Sequence, residues 1–151
     1  MNTKPVVQAV REYFLACPLL EKDSPLGIDN LSETVSYSVY QLPSDGEGVI
    51  RSYIDGSRLV GFNFVFASRF PFSETTAIMI ENSGFYERLM SWIKTQNING
   101  NLPEVEGAIE IKGLQTSYLF MVDPDNRNGE YQIQLQLVYK RERDNDNILS
   151  I

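Results

Sequence analysis

The stretch Ile80–Ile93, IENSGFYERLMSWI, decides how this chain folds, because its apolar residues recur at helical spacing while a neutral polar residue, Asn82, falls among them. At about 100° per residue, Ile78, Phe85, Leu89, Trp92 and Ile93 gather on one side with Tyr86 and Met90 beside them, and Glu87, Arg88, Ser91 and Lys94 point away. The pattern predicts an amphipathic helix. The same wheel sets Asn82 inside the apolar stripe, where a carboxamide needs a hydrogen-bond partner or a neighbouring chain to offset its desolvation. Trp92 lies on the stripe and is read as a core residue. The triplet Asn82-Ser83-Gly84 could divide the segment, but the stripe keeps its phase across it, which favours one helix from Glu74 to Asn97, capped by Ser73 and with room for a kink at Gly84.

Working outward, Thr3 and Pro5 open a first helix, expected over Lys4–Cys17, whose apolar positions Val6, Val7, Val10, Phe14 and Leu15 repeat until Pro18 stops it. Residues 19–33 mix charged residues, Pro and Gly with isolated leucines and read as a loop. Val35–Leu42 alternates like a half-buried strand, and Val49–Ile54 is a second strand closed by Asp55-Gly56, a dipeptide suited to a hairpin. Leu59–Ala67 is apolar at nearly every position, as expected of a central strand covered on both faces, and Ser68–Phe72 reads as a loop. Beyond the long helix the pattern gives strands at Val105–Ile111, Ser117–Val122 and Glu130–Tyr139, with turns at residues 112–116 and 123–129. In the last strand Tyr131, Ile133, Leu135, Leu137 and Tyr139 form the core side, and Gln132, Gln134 and Gln136 line the other. The predicted fold class is α+β: a mainly antiparallel sheet packed with an N-terminal helix and a long central helix.

A chain of 151 residues suits one domain, expected over 1–151 with a flexible C-terminal arm at 140–151, and at this size folding buries roughly 70% of the unfolded surface. The 42% hydrophobic content excludes a disordered chain, and no apolar run approaches the ~20 residues of a membrane span. The first residues do not read as a secretory signal, so synthesis and assembly are expected in the cytoplasm. A formal charge of −7 argues against binding the phosphate backbone of a nucleic acid.

No constellation of catalytic residues emerges. The chain has no histidine, which removes the commonest general base near neutral pH, and its single cysteine, Cys17, permits no internal disulfide. The segment Asp123–Glu130, DPDNRNGE, departs from the calcium-loop pattern at Arg127, Asn128 and Gln134 and reads as a polar hairpin. Gly46-Glu47-Gly48 lacks the lysine of a phosphate cradle, and Glu104, Glu106 and Glu110 alternate with apolar residues on a solvated strand face. Catalytic, cofactor and metal sites are therefore not expected, although an enzyme built on Asp, Glu, Tyr or Lys stays open as an alternative. The neutral glutamine row fits either a wet face or a subunit contact, and Tyr40, Tyr53 and Tyr86 allow the same choice.

The run IENSGFYERLMSWI, together with YIDGS at Tyr53–Ser57, FVFASR at Phe64–Arg69 and YQIQLQLVY at Tyr131–Tyr139, resembles the tail terminator proteins of phages and prophages of Gram-positive bacteria, also called tail completion or tail-to-head joining proteins. The resemblance runs from the first helix to the last strand and departs at Leu114–Phe120, LQTSYLF, where a glycine is expected before the tyrosine. It implies a virion structural protein that forms a hexameric ring on the head-proximal end of the tail tube. The implied partners are copies of itself, the major tail tube protein and head-tail connector proteins, and the implied location is the virion tail. A head-tail connector or minor capsid adaptor is the alternative. The residues expected at subunit or tube contacts are Asn82, Tyr86, Gln132, Gln134, Gln136, Lys140, Arg141 and Arg143, with the loops at residues 43–48 and 68–72.

Overall fold

The computed structural model describes residues 4–32, 35–72, 75–125 and 127–143. Its elements run α1 (Val6–Leu15), β1 (Leu26–Ile28), β2 (Ser36–Gln41), β3 (Val49–Ser52), β4 (Arg58–Pro71), α2 (Thr76–Asn99), β5 (Ala108–Val122) and β6 (Asn128–Arg141). The strands form one sheet in the order β1-β2-β4-β6-β5, with β3 pairing β4 beside β2. Among the described residues only the β1·β2 pairing is parallel. The fold is α+β, as the hydrophobic periodicity implies.

Both helices pack on the same side of the sheet. That side carries Tyr37 and Val39 of β2, Phe64, Phe66 and Phe70 of β4, and Tyr131, Ile133, Leu135 and Leu137 of β6, all buried. Phe14 of α1 lies 4.7 Å from Phe66, and Phe85 of α2 meets Phe70 edge-on at 4.9 Å. Trp92 stands half-buried against Tyr13, ring centroids 5.0 Å apart, so it bridges the two helices at the margin of the core.

The second helix is continuous through Gly84 and ends on Gly100, whose φ of 76° only glycine adopts freely. Asn97 then ties the helix end to the sheet: its Nδ2 donates to the Ile111 carbonyl and its Oδ1 accepts the Ile111 amide. The Asp55-Gly56 hairpin closes as its sequence demands. Asp55 accepts hydrogen bonds from the Ser57 hydroxyl and amide, and these hold its carboxyl below the usual range.

Several expectations need correction. The first helix is shorter than Lys4–Cys17 at both ends, because Pro5 is extended at ψ 146° and enters the helix only through its carbonyl, and the chain turns at Ala16 before Pro18. Residues 19–33 are not wholly loop: Leu26–Ile28 adds a parallel edge strand beside Tyr37–Val39. Three residues are too few to show a period of two. Residues 68–71 are strand, not loop, with Phe70 opposite Gly129 and Ser68 opposite Tyr131. The two strands expected at 105–111 and 117–122 are one strand, β5, and residues 112–116 are a bulged continuation with register shifts, not a turn. The caps expected at Thr3 and Ser73 lie outside the described residues.

Phe64 and Leu135 are opposite each other on β4 and β6 and both fully buried. Replacing either with alanine is expected to cost about 2–5 kcal/mol, through lost transfer energy and a cavity that the paired strands cannot close. Denaturant midpoints of the two variants check this.

Candidate interaction surface

The residues expected at an interface separate into three groups. Asn82 and Tyr86 belong to the core of this chain. Tyr86 is 2% exposed; its hydroxyl donates to the Tyr131 carbonyl at 3.1 Å and shares a 2.6 Å hydrogen bond with the Ser68 hydroxyl. Asn82, 8% exposed, donates through Nδ2 to the Pro71 carbonyl and to the Tyr131 hydroxyl, both at 3.1 Å. The partner that the helical wheel required for Asn82 is therefore β4 and β6 of the same chain, and both residues are corrected from contact to core. Burial pushes the Tyr86 phenol far above its ordinary range, with the Ser68 hydrogen bond opposing the shift. Burial does the same to Tyr13.

Gln132, Gln134 and Gln136 stand on the side of the sheet that bears no helix. With them on this face are Ser38 and Tyr40 of β2 and Asn63, Val65 and Ala67 of β4, by cross-strand register. On β2, β4 and β6 the middle of the face is uncharged, while Lys112 of β5 stands opposite Gln136. Gln136 donates to Asn63 at 2.8 Å, Gln132 donates to Glu130 at 2.7 Å, and the Tyr118 hydroxyl donates to Gln132 at 2.9 Å. These bonds hold the row flat against the sheet. Ser36 and Ser38 are covered at one margin by residues 30–32, through bonds from the Asn30 amide to Ser38 and from the Ser36 hydroxyl to the Ser32 carbonyl.

The face continues onto β5. From Gly113 to Val122 this edge strand carries no charge, and Leu114, Tyr118, Leu119, Phe120 and Met121 are exposed, Phe120 by 52%. Sequence reasoning missed them because an apolar run reads as a covered strand whether or not anything packs against it. At one end of the face Arg69 donates to both carboxylate oxygens of Asp123, at 2.8 and 3.0 Å, and stands 3.7 Å from Glu130. Asp123, at the start of the turn between β5 and β6, is thus engaged by a guanidinium.

The third group lies at the opposite end. Lys140 and Arg141 are strand residues paired with Leu59 and Arg58, so the expected arm at 140–151 begins inside the sheet; residues 144–151 lie outside the described residues. Arg143 is exposed, and its side chain lies along Gly56 of the β3–β4 hairpin. The Pro43–Gly48 loop is exposed apart from Gly48, which is intermediate, and its Glu47 pairs with Arg58 at 3.2 Å.

An open cleft of about 370 Å³ lies between α2 and residues 19–21, with Tyr37, Phe70 and Phe85 at its base and Glu21, Glu81 and Arg88 around it. Among the described residues no group of three or more Cys, Asp or Glu could hold a metal ion.

Core and surface roles give different mutational costs. Asn82→Ala is expected to destabilise by about 1–3 kcal/mol, since it removes the donor to the Tyr131 hydroxyl and to the Pro71 carbonyl, whereas Gln134→Ala is expected to stay within about 0.5 kcal/mol. Thermal unfolding of both variants checks this. Tyrosine absorbance against pH gives a second readout. Because the Tyr86 and Tyr13 values are raised, their contribution to stability is fully present below the ordinary phenol value near 10 and is lost as pH rises above it. Both are expected to stay silent in the titration until the protein unfolds.

No protein-family model matches the chain, and no curated protein sequence matches it either.

Proposed function

We propose that this chain is a virion structural protein that caps the head-proximal end of a phage tail tube as a hexameric ring, ends tube polymerisation and presents the surface to which a head docks. The observation that carries the reading is the helix-free sheet face, uncharged in its middle and continuous with the apolar edge of β5. A broad neutral face suits protein contact, because it can be covered without desolvating ions. The resemblance of Ile80–Ile93 and the β4 and β6 segments to tail terminators supplies the biological setting.

Magnitudes define how such a ring would close. Burying an apolar side chain fully is worth roughly 1.5–3 kcal/mol, so half-exposed Leu114, Tyr118, Phe120 and Met121 offer on the order of 1 kcal/mol each. Association costs about 4–15 kcal/mol in lost freedom. One edge contact is therefore too weak to hold two free copies, and the proposed assembly depends on the tube end, which holds neighbours at high effective concentration. The proposed partners are copies of this chain, the tube protein and connector proteins, and the proposed location is the virion tail after assembly in the host cytoplasm. Among the described residues no helix is long and apolar enough to cross a membrane. With a net charge of −7, a ring of such chains would let a genome pass without adhering to it.

Light scattering and electron microscopy of the protein with purified tail tubes test the proposal. Free protein is expected to be monomeric and to form end-caps that stop elongation, and Phe120→Lys is expected to abolish capping without lowering the unfolding midpoint. Binding to portal-bearing heads but not to tubes would favour a connector, and a dimer that ignores tubes would contradict the ring.

A further inference from the structure

We propose that Arg58 and Arg141 form a fork that binds a carboxylate from an acidic segment of a partner protein. The β4·β6 ladder places these two arginines directly opposite each other, one step beyond Val60 and Tyr139 on the face that bears the helices. Directly opposed residues of antiparallel strands lie about 4.5–5.5 Å apart at Cα, and like charges in that position destabilise the pairing. The other end of the same ladder shows the satisfied version. There Arg69 stands opposite Glu130 and also holds Asp123.

Among the described residues the arginines find little compensation. Arg58 reaches Glu47 through Nη1 at 3.2 Å, but its Nε is buried without a hydrogen-bond partner among the described residues. Arg141 has only a long contact from Nη2 to the Tyr139 hydroxyl, 3.5 Å, with its guanidinium 6.0 Å from that ring. Around them Arg51, Lys140 and Arg143 raise the local basic charge, and Glu47, Asp55 and Glu142 partly offset it. Among the described residues, the end of the sheet thus keeps a small positive excess on a chain of net charge −7.

The size and texture of that excess select the ligand. A planar guanidinium matches a carboxylate in two-point geometry, and Arg58 already holds one carboxylate on one of its amino groups. A phosphate backbone would bring the interleaved Glu47, Asp55 and Glu142 against a line of negative charges, whereas a single acidic side chain would bring one charge to the arginine pair, beside the Glu47 that Arg58 already holds. The site does not depend on the tail-ring reading and would serve an acidic partner in another assembly equally.

The test uses ¹⁵N-labelled protein at low salt, following the arginine Nε–H signals while tetraglutamate, tetraglutamine or oligothymidylate is added. Tetraglutamate is expected to shift the Arg58 and Arg141 signals saturably, with affinity falling about tenfold in Arg141→Gln as a charge-assisted hydrogen bond is lost. Tetraglutamine is expected to leave them in place. The same Arg141→Gln variant is expected to melt at a higher temperature than the parent, because it removes one of two opposed like charges. Absence of a saturable shift, equal response to tetraglutamine, tighter binding of oligothymidylate, or a lower melting temperature in Arg141→Gln would each overturn the proposal.

Discussion

The β4·β6 ladder, in which Arg58–Pro71 runs antiparallel to Asn128–Arg141, is the constraint on which the remaining structure depends. Side chains alternate across a strand, so a slip of one residue would turn Phe64, Phe66, Leu135 and Leu137 away from the helices and bring Val65, Gln134 and Gln136 against them. Hydrophobic burial disfavours that slip, and a polar network makes it still more costly. Tyr86 binds Ser68 of β4 and the Tyr131 carbonyl of β6, while Asn82 binds Pro71 of β4 and the Tyr131 hydroxyl. Tyr86, Ser68, Asn82 and Tyr131 are buried, so a shifted register would leave their donors and acceptors unpaired at about 1–3 kcal/mol apiece. The helix α2 therefore reads the register of the ladder through its hydrogen bonds as well as through its apolar stripe.

Where the sequence was legible, one physical rule governed a long segment. The stripe from Phe85 to Ile93 needed only helical periodicity, and the alternation from Tyr131 to Tyr139 needed only the pleat. Asn82 was legible as a residue requiring a partner, but the choice between a partner within the chain and one outside it depends on Tyr131, 49 residues away. The polar residues Ser68 and Arg69 looked like a loop because their compensation is likewise remote, in Tyr86, Asp123 and Glu130. β1 is too short to leave a pattern, and the bulges of β5 broke the alternation that would have identified one strand in place of two. The surface was legible in its glutamine row and illegible at Phe120, since an apolar run carries no mark of whether something covers it.

Charge is distributed along the sheet in a way that suits a protein with several contacts. The middle of the open face is neutral and the edge of β5 beyond Lys112 is neutral, while basic residues collect where β3, β4 and β6 end. Asn97 occupies the backbone groups of Ile111, so the edge of β5 is covered by its own chain there and left apolar and open from Leu114 onward. Edge strands of this kind are ordinarily blunted by charge, and the bulges of β5 supply only a partial substitute. An uncharged edge next to a neutral face is a liability in an isolated protein and an asset in one that closes against neighbours.

The account rests most heavily on the claim that the free edge of β5 and the adjoining glutamine face are what the protein covers when it assembles. Amide hydrogen exchange, measured on the protein alone and again on purified tail tubes, tests it directly. The account predicts new protection at Leu114–Met121 with α2 unchanged. Protection confined to the cleft beside α2, with β5 exchanging as freely on the tubes as in solution, would contradict it.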